Sequence, residues 1–206
     1  MTTMNEAEQI VAIVDDDEFV RDGLVELLDS VGYTAEVYTR AQEFLDGFNP
    51  KRIGCILLDV RMPGMSGIEL QHRLNGMHIE IPIIIMTGHG DIAMAVQAMK
   101  DGAFEFVQKP FRDQDLIDAI TKALEKNAID REKFSLKQKI HNQIELLTKR
   151  EREVVNCVME GMPNKLIARK LGVSDRTIEL HRSHAMSKLG VKSVAELVKM
   201  MIEDSQ

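Results

Sequence analysis

The sequence predicts an α/β protein: a five-stranded parallel, doubly wound N-terminal domain, a long linker helix, and an all-α C-terminal domain of four helices. Three observations carry this reading. Over the first ~120 residues, short apolar runs alternate with helical patterns, as strands and crossover helices do. No Gly or Pro occurs from Phe111 to Glu160, and apolar residues recur at helical spacing through that stretch. From Thr148 the texture becomes short helices separated by caps and tight turns.

The strands are read in order. Ile10 to Val14 is a continuous apolar run ending at Asp15-Asp16. Val31-Gly32-Tyr33 closes a helix and leads into a strand around Thr34 to Val37. Cys55 to Leu58 runs into Asp59, Ile83 to Met86 into Thr87, and Phe104 to Gln108 into Lys109-Pro110. Gly64, Gly67, Gly88, Gly90 and Gly102 punctuate the later units. Leu116, Ile120 and Leu124, then Ile129, Leu136, Ile140, Ile144 and Leu147, place one helix from the end of the first domain to near Leu147.

Thr148-Lys149-Arg150-Glu151 reads as a capping box, in which side chains and backbone reciprocally satisfy orphan N–H groups. Gly161-Met162-Pro163 parts the first short helix from the second, which runs from Pro163 to Leu171. Gly172-Val173-Ser174 is a tight turn, with Ser174 as N-cap of a helix from Asp175 to Leu189. Ser193-Val194-Ala195-Glu196 is a second capping box.

Composition is that of an ordinary water-soluble chain, 44% apolar and 29% charged in 206 residues, enough for two domains with cores of their own. No apolar run approaches the ~20 residues of a membrane span, and Met1 to Gln9 is unlike a signal peptide. A cytoplasmic location without membrane association is expected. Cys55 and Cys157 read as buried thiols in different domains. The net charge of −7 argues against nucleic-acid binding until it is divided. Thr148 to Gln206 holds 11 basic and 8 acidic residues, leaving 15 and 25 of the chain's 26 and 33 for the rest. A basic C-terminal domain therefore follows an acidic N-terminal one.

Parallel α/β sheets bind ligands just beyond the carboxyl ends of their strands. Asp15, Asp16, Asp59, Thr87 and Lys109 all sit at such ends and are expected to converge on one cleft. Three carboxylates, a hydroxyl and an ammonium suit a divalent metal with a phosphoryl group. A carboxylate is a competent nucleophile on phosphorus. Mg²⁺ takes one or two carboxylates together with phosphate oxygens and water.

These residues resemble the receiver domain of bacterial two-component response regulators, over roughly Gln9 to Asn127. The stretches that carry the resemblance are Ile13-Val14-Asp15-Asp16-Asp17, Leu58-Asp59-Val60-Arg61-Met62-Pro63-Gly64-Met65-Ser66-Gly67, Met86-Thr87-Gly88-His89-Gly90-Asp91 and Lys109-Pro110-Phe111. The resemblance implies that Asp59 accepts a phosphoryl group. Asp16, Asp59 and the main-chain carbonyl of Arg61 would ligate Mg²⁺ or Mn²⁺ directly, and Asp15 through a water. Thr87 and Lys109 would hold phosphoryl oxygens, and the Lys109–Pro110 bond would be cis. Thr87 and Phe106 match the receiver's switch pair. Arg61 and His89 are expected to rim the cleft, and Asp17 carries no metal role. The helix from Ile92 to Met99 is apolar nearly all round, which leaves a surplus face for dimerisation or, equally, for core packing.

Helix, tight turn and helix from Pro163 to Leu189 have the helix-turn-helix layout, whose second helix enters the DNA major groove. Leu147 to Val154, Gly161 to Ala168, Val173 to Arg182, Lys188-Leu189-Gly190-Val191 and Glu196-Leu197 resemble the LuxR/NarL-type four-helix DNA-binding domain. Ile178, Ala185 and Leu189 are expected in the core. Glu179, Leu180 and Ser183 match base-reading positions. Lys165, Arg176, Thr177, Arg182 and Lys188 are candidate phosphate contacts, and His181 fits either the core or a phosphate.

With both resemblances in one chain, the sequence is identified as a member of the FixJ/NarL class of transcription regulators. Its expected divisions are a receiver at 1–127, a helical linker at 128–147 and a LuxR-type domain at 148–206. The class implies phosphorylation by a sensor histidine kinase, homodimerisation on phosphorylation, sequence-specific binding to double-stranded DNA, and contact with RNA polymerase. Two rivals stand beside it. A phosphatase of the haloacid-dehalogenase type needs a second carboxylate two residues after the nucleophile, where this chain has Arg61. A DNA-binding protein with a receiver used only for docking would bind DNA regardless of phosphorylation.

Overall fold

The computed structural model describes residues 10–88 and 92–205. Five strands form one parallel sheet in the order β2-β1-β3-β4-β5: β1 Ile10–Val14, β2 Thr34–Tyr38, β3 Ile53–Asp59, β4 Ile83–Thr87 and β5 Glu105–Gln108. The intervening helices are α1 Glu18–Ser30, α2 Ala41–Gly47, α3 Gly67–Gly76 and α4 Ile92–Lys100. The predicted sheet is present, with β3 extending two residues earlier than the apolar run implied and reaching Asp59 itself. Alternation along the strands divides the core into two layers. Ala12, Val14, Ile56 and Leu58 pack with Phe44, Leu70, Leu74 and Ala98 on one face. Val11, Ile13, Cys55 and Leu57 pack with Leu24, Leu28, Leu116 and Ile120 on the other. Helices on both faces make the sheet doubly wound, and β1 is flanked by β2 on one side and β3 on the other. The strand order reverses there, which places a crevice at the carboxyl ends of β1 and β3.

α5 runs for 33 residues, Asp113–Glu145, the helix expected from the absence of Gly and Pro. The chain divides within it, into units of 1–130 and 131–206. Leu116, Ile120 and Leu124 belong to the core of the first unit, and Ile140 and Ile144 to that of the second.

The second unit adds α6 Lys149–Met159, α7 Asn164–Leu171, α8 Asp175–Leu189 and α9 Val194–Ser205. Thr148 and Glu151 form the predicted capping box. Ser174 caps α8 through the N–H of Thr177, and Gly172 closes α7 at φ 68°, a left-handed turn that glycine adopts without a Cβ penalty. The second predicted box is half realised. The Glu196 N–H donates to Ser193 Oγ at 3.2 Å, but the Glu196 carboxylate accepts from the N–H of Lys192, one residue before Ser193. Pro163 lies outside α7 as its N-cap. Among the described residues, no helix is long and apolar enough to cross a membrane.

Candidate functional site: an acidic cleft and a helix-turn-helix

Four strands of the sheet, β1, β3, β4 and β5, each deliver a residue at or just past their end to one end of the unit. Asp15 follows β1, and Asp59 and Thr87 end β3 and β4. The three are buried. Lys109 follows β5, and its N–H donates to the Thr87 carbonyl at 2.7 Å, which fixes the chain as it enters the cleft. The Lys109–Pro110 bond is cis, as the resemblance implied.

Lys109 Nζ lies 2.6 Å from Asp15 Oδ2 and 2.6 Å from Asp59 Oδ1, across 94 and 50 positions of sequence. The remaining carboxylate oxygens accept from backbone. The Asp17 N–H donates to Asp15 Oδ1 at 2.9 Å and the Arg61 N–H to Asp59 Oδ2 at 2.6 Å. Burial pushes the Asp59 carboxyl above the usual carboxylate range, with Lys109 pulling against it and the Asp15 charge adding to the rise. Burial would lower the Lys109 ammonium, but its bonds to Asp15 and Asp59 outweigh that and hold it protonated.

Asp15, Asp59, Thr87 and Lys109 thus share one end of the sheet. Asp16 is exposed beside them, and among the described residues no three His, Cys, Asp or Glu side chains converge as a ready-made metal cage. The donor set still fits Mg²⁺, which needs one or two carboxylates and keeps several waters. Each carboxylate oxygen accepting one hydrogen bond has a lone pair left. Asp17 is the N-cap of α1, taking the N–H groups of Phe19 and Val20. Arg61 is exposed, and His89 lies outside the described residues. Thr87 Oγ1 donates to the Gly88 carbonyl at 3.3 Å, and Phe106 is 41% exposed, turned to the surface of the sheet's edge strand.

Two features were not read from the sequence. Gly67, the first residue of α3, packs so close that a Cβ there would lie 2.1 Å from the Asp59 carbonyl oxygen. Its N–H donates to the Val60 carbonyl, so the segment after β3 folds back directly on the end of that strand. A glycine eight residues after an aspartate gives no such signal by itself. Phe19 is 88% exposed beside a groove lined by Val20, Leu24, Leu27, Pro110 and Phe111. Its position outside the apolar stripe of α1 was the available clue.

In the second unit, Ile178, Ala185 and Leu189 are buried as expected. Arg176, Glu179, Leu180 and Ser183 lie exposed on α8, and Lys165 is exposed on α7. Thr177 and His181 are half-buried. Two expected phosphate contacts are engaged within the unit. Lys188 Nζ bonds the nearly buried Glu151 carboxylate at 2.6 Å and the Leu146 carbonyl at 3.3 Å. Arg182 donates to Asn164 Oδ1 at 3.1 Å, tying α8 to the start of α7. Lys188 precedes the buried Leu189, and its ammonium reaches the acidic cap of α6 while the side chain stays partly exposed.

Comparison with known proteins agrees on both units. Residues 11–121 match the response regulator receiver domain, and residues 145–201 match the bacterial regulatory proteins of the luxR family. The chain is 42% identical to the transcriptional regulatory protein FixJ of Azorhizobium caulinodans, over 93% of this chain and 91% of that protein. It is 41% identical to nodulation protein W of Bradyrhizobium diazoefficiens, over 93% and 84%. Among solved structures, the response regulator StyR superposes with TM-score 0.89 at 44% identity, covering 95% of this chain and 99% of that one. Full-length FixJ from B. japonicum superposes with TM-score 0.59 at 40% identity, covering 96% and 98%. The chain belongs to the FixJ-like two-component response regulators, which join a receiver to a LuxR-type DNA-binding domain and regulate transcription in response to phosphorylation rather than acting as classical enzymes.

Proposed function

We propose that Asp59 is the phosphoacceptor of this regulator. The observation that carries the reading is the clustering of Asp15, Asp59 and Lys109 within hydrogen-bonding distance at the carboxyl edge of the sheet. A sensor histidine kinase supplies the phosphoryl group, and an Asp59 carboxylate oxygen bonds phosphorus as the donor's bond to it breaks. Lys109, already on Asp59, pairs with a phosphoryl oxygen, and Thr87 donates its hydroxyl to another. Asp15, Asp16, Asp59 and the Arg61 carbonyl would hold Mg²⁺ or Mn²⁺, which neutralises the charge gathered in transfer. The exposed Phe19 and its groove lie beside Lys109 and Pro110, and give an approaching kinase an apolar foothold next to the acceptor.

Thr87 and Phe106 serve as the switch. Ala93, Met94 and Val96 of α4 are exposed, as is Phe106 of β5, so an apolar face is available for a second copy of the chain once phosphorylation reorders it. Moving such a population from mostly off to mostly on takes ~5.5 kcal/mol of differential stabilisation. The paired LuxR-type domains then address half-sites through α8: Glu179, Leu180 and Ser183 towards base edges, and Lys165, Arg176 and Thr177 towards phosphates. The working divisions are a receiver at 1–127, a linker at 128–147 and a DNA-binding domain at 148–206. The chain acts in the cytoplasm with RNA polymerase as a further partner.

Footprinting of genomic fragments before and after treatment with acetyl phosphate and Mg²⁺ tests this. The expected result is a phosphorylation-dependent footprint of paired half-sites, absent in Asp59→Asn. Equal footprints in all samples would overturn the switch and leave a receiver used for docking.

A further inference from the structure

We infer that α8 selects a thymine and a cytosine in each half-site, with Leu180 packed on the thymine 5-methyl group and Glu179 accepting a hydrogen bond from the cytosine N4 amino group. The inference rests on the assignment of α8 as the base-reading helix. Its carrying observation is the chemistry of one helix face. With Ile178, Ala185 and Leu189 buried, the opposite side of the first turns presents Arg176, Glu179, Leu180 and Ser183. Leu180 is 54% exposed amid polar neighbours. An exposed apolar side chain at this place gains nothing from water, from phosphate, or from the polar edges of guanine, cytosine or adenine. In the major groove, the thymine methyl is the apolar feature that a base edge offers.

Glu179 poses the opposite problem. A carboxylate brought to a polyanion is repelled unless a donor receives it. Major-groove donors are the amino groups of cytosine and adenine. Adenine carries its N7 acceptor beside the amino group, which repels a carboxylate; cytosine presents its amino group without one. Glu179 is exposed, next to Leu180 in sequence, and is therefore placed to take cytosine while Leu180 takes a neighbouring thymine.

The test starts from double-stranded DNA selected out of a random pool by the full chain treated with acetyl phosphate and Mg²⁺. Each thymine of the selected half-site is then replaced by deoxyuridine, which removes the methyl group alone. At one thymine per half-site, binding is expected to weaken about fourfold, the worth of one buried methyl group. The same replacement should have a smaller effect on Leu180→Ala, whose Cβ methyl reaches less far than the leucine side chain. Selection repeated with Glu179→Gln is expected to exchange a cytosine for an adenine, which glutamine reads bidentately. Both side chains are exposed, so both variants should fold as the parent does, read by circular dichroism. Deoxyuridine tolerated equally at every position by the parent overturns the Leu180 assignment. An unchanged selected sequence with Glu179→Gln overturns that of Glu179. Failure to select any sequence, with the parent and both variants alike, would instead overturn the reading of α8 as the DNA-reading helix, and this inference with it.

Discussion

Each unit of this protein holds a lysine against a buried carboxylate at 2.6 Å, and the two clusters have opposite consequences. In the C-terminal unit, Lys188 meets Glu151 one to one, and Glu151 also takes the N–H of Thr148. The lysine's hydrogen bond, and then the backbone's, pull the Glu151 carboxyl down to about 2. The pair is satisfied and acts as a staple between α6 and α8. In the N-terminal unit, Lys109 meets two carboxylates, Asp15 and Asp59. One cation against two anions leaves a net negative charge in a crevice, and burial drives the Asp59 carboxyl up rather than down. The same ion pair thus locks one unit and leaves the other with charge that a divalent cation and a phosphoryl group can balance. Stoichiometry, more than distance, separates a structural ion pair from a reactive one.

Exchanging the acids tests that contrast most sharply. Asp59→Asn should abolish the response of DNA binding to acetyl phosphate altogether, whereas Glu151→Gln should keep the response and lower only stability. Footprinting with and without the phosphodonor separates the two. Next in size is Gly67→Ala, because its Cβ would meet backbone 2.1 Å away rather than a side chain able to move. Overpacking of this kind costs ~3 kcal/mol, read as a lower urea midpoint for the N-terminal unit in the full chain.

Lys188→Ala should cost ~2 kcal/mol by leaving the buried Glu151 carboxylate with the capping N–H of Thr148 but without its cation, and hydrogen exchange in α6 and α8 would report it. If Lys188 instead served DNA phosphate, affinity would fall and exchange would not change. The same pair sets a pH dependence. Folding lowers the Glu151 carboxyl from its ordinary 4.5 to about 2, so its contribution is complete above 4.5 and is lost as pH falls from there towards 2. Glu151→Gln should flatten that stretch of the stability curve. The smallest effect is expected from Thr148→Ala, which removes half of the α6 capping box at a cost of ~1 kcal/mol, seen as a modest fall in the melting temperature of the second unit.

The cleft was legible because parallel sheets collect their strand ends. Four apolar runs each terminating in a polar residue sufficed to bring Asp15, Asp59, Thr87 and Lys109 together, and the registers of β1, β3, β4 and β5 place them so. On α8, 3.6-residue periodicity assigned Ile178, Ala185 and Leu189 to the core and Glu179, Leu180 and Ser183 outward. Periodicity did not show that Lys188 and Arg182 are also bonded within the unit, through long side chains that reach residues 37 and 18 positions away. It was equally silent on Gly67, whose constraint comes from a backbone atom of another element.

Local sequence by itself determined the elements, the caps at Thr148 and Ser174, the helix through the unit boundary and the set of groups at the sheet's edge, because these follow from nearest-neighbour sterics and the two periods of the backbone. Tertiary structure alone decided which charges are spent and which remain. Whether Lys109 faces two carboxylates and Lys188 one depends on contacts 94, 50 and 37 residues apart, and the energy of a charge is set by its burial and its partners in space rather than by its place in the chain.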